Sequence, residues 1–257
     1  MLNGEQLLHF AEHGWVIMEN VLDAEQCAAY RVALDRAVQS RVTDVSANGE
    51  LTVIDNIVLY DDIFVDWFTL PGILESNRQL LGAQLKFQGV NAHIKRPHPE
   101  RHNGRNLMDP DTFGWHRGLR PKWGNHLHDT DPRLINCSFL NNITYLTTVA
   151  PGNGSTGVLD GSHKLEGNYQ SLKDQCPLVE VPSEAGSVLI FTETLIHTAI
   201  PILSETVRYN MYYGFTPPWY HYWPGTEVPK AVVDSLANEE LRRILGDYGY
   251  VGQKAEV

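Results

Sequence analysis

From about Gln84 onward the chain is a succession of short apolar runs, Leu85 to Ile94, Ile135 to Leu146, Thr156 to Leu159, Ser187 to Phe191 and Arg208 to Phe215, separated by Gly, Pro, Asn and Asp. Runs of that length suit strands better than helices, and the separators carry turn chemistry. The pattern predicts an antiparallel sandwich or a closed double sheet. Upstream the texture is helical. Leu7, Leu8, Phe10 and Ala11 keep one apolar face until His13-Gly14 breaks it, and Trp15 to Met18 follows as a strand. Asp23 is the expected N-cap of a helix from Ala24 to Val38. Residues from about Ser40 to Glu50 read as a surface loop, and Ile63 to Leu81 as a helix interrupted at Pro71-Gly72. Glu239 to Leu245 reads as a short helix. With no repeat or linker, one domain over residues 1–257 is expected, a length that barrels and sandwiches fill with a single core.

Charge narrows the partners. The formal net charge is −11, and no run of Lys and Arg is present to neutralise phosphates, which argues against nucleic acid and for a small molecule. No apolar stretch approaches the roughly 18 to 20 residues that span a bilayer, so no membrane partner and a cytoplasmic location are expected. Cys27, Cys137 and Cys176 have long, irregular spacings that fit neither a disulfide framework nor a CxxC metal site, and are read as reduced structural thiols.

Two stretches carry chemistry. Glu193-Thr-Leu-Ile-His197 and Val207-Arg208-Tyr-Asn-Met-Tyr-Tyr-Gly214 bracket a turn at Pro201 to Glu205. Folded as an antiparallel hairpin centred between Ile202 and Leu203, they set His197 opposite Arg208 on one face, so that a His and an Arg share one pocket. In Gly114-Trp-His-Arg-Gly118, alternation puts His116 and position 118 on the same side of an extended strand, where a metal could use both. The stretch Val149 to His163 adds a glycine-rich turn, a short strand and a Gly-Ser-His end.

These motifs together resemble the phytanoyl-CoA dioxygenase family of Fe(II)/2-oxoglutarate-dependent oxygenases. The likeness runs from His13-Gly-Trp-Val-Ile17, through Gln88-Gly-Val-Asn-Ala-His-Ile-Lys-Arg-Pro97, to Pro217-Pro-Trp-Tyr220. It implies a double-stranded β-helix, a jelly-roll barrel with helices packed outside. It also implies a His-x-Asp motif and a distal His as iron ligands, here His116 and His197, and an Arg eleven residues after the distal His that binds the far carboxylate of 2-oxoglutarate, here Arg208. Two imidazoles and a carboxylate on one face of Fe(II) leave positions for 2-oxoglutarate and O2. Gly-Ser-His163 matches a family strand in which Pro stands where this chain has Asp160, and His163 is expected to serve the scaffold. Asn141 or Asn142 is expected to line the co-substrate pocket, with Thr198 and Asn210 as weaker candidates.

The chain departs from the family at one position: the motif reads His116-Arg117-Gly118, with no carboxylate. Three readings stay open. Asp129 or Asp131 in the following loop completes the site, His128 replaces His116 as the ligand, or chloride takes the place of the missing side chain, as in halogenases of this fold. The expected activity is hydroxylation of a C–H bond of a small metabolite, with 2-oxoglutarate converted to succinate and CO2. Halogenation and a non-catalytic binding protein are the alternatives. Lys95, Arg96, Arg101, Arg105, Arg117, Arg120 and Lys122, around the first ligand, raise the expectation of an anionic substrate.

Overall fold

The computed structural model describes residues 1–40, 44–118, 137–221 and 225–246. The N-terminal helix α1 (Gly4–His13) starts on a capping box between Asn3 and Gln6 and stops where Gly14 turns left-handed at φ 85°. Strand β1 (Trp15–Met18) follows at once, as its apolar run predicts. Helix α2 (Ala24–Ser40) begins at the expected Asp23, whose carboxylate accepts from the Gln26 amide at 2.8 Å while the Gln26 side chain accepts from the Asp23 amide at 2.9 Å. Short strands β2 (Asp44–Val45) and β3 (Leu51–Asp55) lie in and just after the stretch read as a loop. The next helical stretch breaks at Pro71-Gly72 into α3 (Ile63–Asp66), a 3-10 turn and α4 (Ile73–Leu81).

The strands that follow are β4 (Lys86–Lys95), β5 (Leu140–Tyr145), β6 (Thr156–Leu159), β7 (Leu178–Val181), β8 (Val188–Thr192), β9 (His197–Ala199) and β10 (Arg208–Thr216). Helix α5 (Tyr169–Leu172) lies between β6 and β7, and α6 (Lys230–Ser235) and α7 (Glu239–Leu245) come after β10. They build two antiparallel sheets, one of seven strands in the order β1-β8-β5-β10-β4-β3-β2 and one of three in the order β7-β6-β9. This is the closed double sheet expected from the short runs, and the jelly-roll, double-stranded β-helix that the family resemblance implied. No helix among the described residues is long and apolar enough to cross a membrane.

Alternation decides which side chains face the helices and which face the barrel. On β10, Met211, Tyr213 and Phe215 join the helix-side core, where Tyr213 stacks on Trp67 at 3.7 Å between ring centres. Trp67 is fully buried and donates through Nε1 to Thr144 at 2.8 Å, which pins the helical layer to the large sheet. The opposite parity, Arg208, Asn210 and Tyr212, points into the barrel together with Asn91 and His93 of β4 and Asn141, Ile143 and Tyr145 of β5. That inner face mixes polar side chains with apolar ones, Ile143 and Tyr145 belonging to a core cluster against which Tyr212 packs.

One sequence expectation fails here. His197 and Arg208 do not share a hairpin: β9 pairs with β6, whereas β10 pairs with β4 and β5. Residues 200–207 carry the chain from the small sheet to the large one, with Ile202 bridging to Asn153 and its carbonyl accepting from the His98 amide at 2.8 Å. In a barrel made of two sheets, sequential strands face each other across the interior instead of lying side by side. The two residues therefore lie on different sheets, His197 on the small one and Arg208 on the large one.

Candidate metal and co-substrate site

His116 and His197 are brought together by an antiparallel bridge, with reciprocal amide-to-carbonyl bonds of 3.0 and 2.9 Å. Their ring centres lie 4.3 Å apart. Each Nδ1 sits 2.8 Å from the carbonyl two residues earlier, Gly114 for His116 and Leu195 for His197. A carbonyl can only accept, so the proton of each neutral ring is on Nδ1 and each Nε2 keeps its lone pair. That is the arrangement in which a backbone carbonyl orients a metal-binding imidazole. His197 is buried against Phe191, 4.7 Å between ring centres, while His116 is exposed at the barrel mouth.

The place beside Gly118 is filled. The Gly118 amide donates to the Glu193 carbonyl at 2.7 Å, and a Cβ added to Gly118 would stand 2.2 Å from Glu193 Cγ and 3.1 Å from its Oε1. The Glu193 carboxylate accepts from the Asn141 side-chain amide through Oε2. Burial pushes its pKa up to about 7, against the lowering effect of that bond. Glu193 was named in the sequence only as the start of the His197 segment. No sequence signal marks it, since its relation to Gly118 is a contact across the fold. Among the described residues no three His, Cys, Asp or Glu side chains close on one point. Asp129, Asp131, His126 and His128 lie outside the described residues.

Arg208 is 1% exposed; its Nη1 donates to the Gly154 carbonyl at the approach to β6, and its Nε, buried, has no partner. Asn91 Oδ1 and Asn210 Oδ1, on the same inner face, are also buried without partners. Native interiors rarely leave such groups unpaired: the free guanidinium Nε suits an anionic ligand, whereas the two amide oxygens, being acceptors, call for a donor such as a hydroxyl or a water. Lys95, directly opposite Arg208 across the strands, is held by Glu50 at 3.2 Å. The buried guanidinium of Arg208 thus fits a carboxylate of a ligand, and the histidine pair fits a divalent metal.

Asn141 faces the barrel as expected for a pocket residue, but Asn142 does not. It pairs with Asn77 through two amide bonds of 2.9 and 3.0 Å on the helix side. A cavity of about 350 Å³ opens beside Asn141, bounded by Asn91, Phe139, Tyr212 and Gly214. Its size falls in the ordinary range for small-molecule pockets. Of the cations around the first ligand, Arg101 is engaged by Glu205, Arg105 by Glu100 and Arg96 by Thr52, and Arg117 donates to the carbonyls of Ser162, Leu165, Gly167 and Thr194. These contacts go to the protein itself; Arg120 and Lys122 lie outside the described residues. Asp160, in the family's Pro position, accepts from Trp15 Nε1 at 2.8 Å and meets His13 Nδ1 at 2.6 Å, tying α1 and β1 to the small sheet. His163 reaches the Ala11 carbonyl at 3.3 Å, a scaffold contact. All three cysteines are free thiols.

Three buried groups give the metal-free protein a pH signature. Burial first, then His116, lowers His197 to about 4, and burial, then Arg208 and Lys95, lowers His93 to about 3. Both histidines bind protons in the unfolded chain below about pH 6.5 but not in the fold, so their contribution is full above that pH and is lost as pH falls towards 4 and then 3. Glu193 acts oppositely. Its raised pKa keeps it protonated in the fold where the unfolded chain has ionised, so stability declines as pH rises from about 4.5 through 7. Two groups outweigh one between pH 4.5 and 6.5, a net slope on the order of 1.4 kcal/mol per pH unit. A thermal midpoint that rises over this window in chelated protein, then declines towards pH 7 except in Glu193→Gln, is expected; a midpoint flat from pH 4.5 to 6.5 would contradict the assignment.

Comparisons with known proteins place the chain in a family and match its fold. Residues 10–210 match the family profile of phytanoyl-CoA dioxygenase (PhyH). Uncharacterised proteins of Mycobacterium bovis and Mycobacterium tuberculosis are each 24% identical over 249 residues, 93% of this chain and 84% of theirs. Among solved structures, HygX from Streptomyces hygroscopicus, crystallised with nickel, 2-oxoglutarate and hygromycin B, superposes with a TM-score of 0.66 at 19% identity, covering 86% of this chain and 90% of that one. SnoK, a non-haem α-ketoglutarate-dependent carbocyclase of nogalamycin biosynthesis, gives 0.67 at 18% identity over 92% and 91% of the two chains. The epimerase SnoN of the same biosynthesis gives 0.65 at 17% over 88% and 90%. At such identities these structures speak for the fold, and the profile match spans most of the chain. This chain, a jelly roll whose sequence fits one profile from residue 10 to 210, belongs to the phytanoyl-CoA dioxygenase family of Fe(II)/2-oxoglutarate-dependent oxygenases.

Proposed function

We propose that the chain hydroxylates a C–H bond of a small molecule, using Fe(II), 2-oxoglutarate and O2. The observation that carries this reading is the pair of imidazoles with both Nδ1 atoms fixed on backbone carbonyls and both Nε2 lone pairs left for a metal. His116 and His197 would hold the iron. Arg208, with its unpartnered Nε, would bind the far carboxylate of 2-oxoglutarate, and a guanidinium suits a carboxylate because their planar forks match. When bound, these groups supply the oxidant for the C–H bond, while 2-oxoglutarate leaves as succinate and CO2. Asn91, Asn141 and Tyr212 line the cavity in which a substrate would lie, and Phe139 closes one side of it.

Two alternatives are weaker. A halogenating enzyme needs room for an anion beside Gly118, and Glu193 Cγ stands in that place. A plain binding protein has no evident use for a buried, incompletely paired arginine. The test needs no substrate. Anaerobic protein with Fe(II) and 2-oxoglutarate should develop a metal-to-ligand absorption band, and on admitting air should form succinate slowly without added substrate. A protein that binds iron but shows neither band nor succinate would be a binding protein rather than an oxygenase.

A further inference from the structure

We propose that Glu193 supplies the carboxylate of the metal centre, reaching from the turn after β8 into the place that Gly118 leaves open, so that the facial set is His116, His197 and Glu193. This inference rests on the Fe(II)/2-oxoglutarate reading and deepens it. The position follows from backbone geometry. His116 and Gly118 are two residues apart on an extended segment, so a side chain at 118 would lie on the side of the His116 ring. The Glu193 side chain stands there instead: its Cγ is 2.2 Å from where a Gly118 Cβ would be, and its Oε1 is 3.1 Å from that point, somewhat farther out than an aspartate's own oxygens would stand. A side chain at 118 and the present Glu193 conformation exclude one another. The glycine is what admits the glutamate.

The electrostatics point the same way. Glu193 is half-buried, and among the described residues its carboxylate meets the Asn141 amide but no cation. A carboxylate withdrawn from water with a single neutral donor lacks a counter-charge, and a divalent metal on two neutral imidazoles lacks a negative ligand. Each supplies what the other lacks. Asn141, bonded to Oε2, leaves Oε1 as the free oxygen and orients the group as partners behind a metal ligand commonly do. The three donors do not yet close on one point, so the terminal torsions of Glu193 turn when metal binds. Those torsions are the soft ones in a glutamate.

The test uses metal binding, not turnover. Fe(II) is titrated anaerobically into the full chain by calorimetry, and Co(II) is used as a visible-spectrum probe of the ligand field. Glu193→Gln keeps the volume and the contact to Asn141 but removes the charge, so it separates ligation from folding. It should weaken Fe(II) by at least the ~10–100-fold that even outer partners of a metal site command, and change the Co(II) spectrum. Glu193→Ala should do the same, and Gly118→Asp placed in the Glu193→Ala protein should recover most of the affinity. Gly118→Asp alone, which collides with Glu193, should lower the thermal midpoint. If Glu193→Gln binds Fe(II) and Co(II) as the parent does while His197→Ala does not, the inference is overturned and the oxygenase reading stands, with the carboxylate coming from elsewhere. If the parent and His197→Ala bind metal alike, the oxygenase reading itself fails.

Discussion

Arg208→Ala should weaken 2-oxoglutarate by roughly two to three orders of magnitude while leaving Fe(II) binding near that of the parent. The guanidinium is 1% exposed, held on one side by the Gly154 carbonyl and unpartnered at Nε. Removing one member of a buried charge pair costs about 3–5 kcal/mol, because the other charge is left desolvated and alone, and each 1.4 kcal/mol is about tenfold in affinity. Arg208→Lys should recover only part of the loss, since an ammonium keeps the charge but not the fork. The histidines lie on the small sheet and its bridge, so the metal should be indifferent to the change. Titrating 2-oxoglutarate into the anaerobic Fe(II) protein, with the metal-to-ligand band as readout, measures this directly. A parent-like titration curve for Arg208→Ala would remove the main support for 2-oxoglutarate as co-substrate.

The parts of this site that could be read from the sequence are those fixed by local periodicity. β6 and α7 lie where the apolar pattern puts them, and Asp23 caps α2 because a capping box needs only residues three apart. His116 and position 118 share a side for the same local reason. The hairpin expected to set His197 opposite Arg208 does not form, because the two residues lie on strands of different sheets. β3 was missed because its short run, Leu51-Thr-Val-Ile-Asp55, follows a polar stretch that reads as loop, although it pairs with both β4 and the two-residue β2. Glu193 was not legible at all. Gly118 announces a missing carboxylate, and the eye searches the nearest acids in sequence, Asp129 and Asp131. The side chain that fills the space comes from 75 residues downstream, at a turn where no periodicity marks a direction. Asn141 and Asn142 show the same limit in miniature. They are adjacent and chemically identical, and only the strand's orientation decides which meets the site and which is spent on Asn77.

His197→Ala should abolish stoichiometric Fe(II) binding, an effect beyond ~100-fold, and with it the 2-oxoglutarate-dependent band. The ring is buried, its Nδ1 proton is held by the Leu195 carbonyl, and the free Nε2 has no competing proton near neutrality because its pKa is lowered to about 4 by burial and by His116. Such an imidazole is already deprotonated and oriented, so a metal neither displaces a proton nor reorders the ring on binding. Its nearest described neighbours offer no replacement ligand: on the small sheet His197 is flanked in sequence by Ile196 and Thr198, and its ring meets Phe191. His116 is exposed, and its alanine variant should also lose iron, but by a smaller factor than His197→Ala, because an exposed ring is less firmly held. Anaerobic Fe(II) titration of the two variants beside His128→Ala decides the matter. If His116→Ala keeps one tightly bound iron while His128→Ala loses it, His128 is the partner of His197; if His197→Ala keeps its iron, the metal centre is not in this barrel.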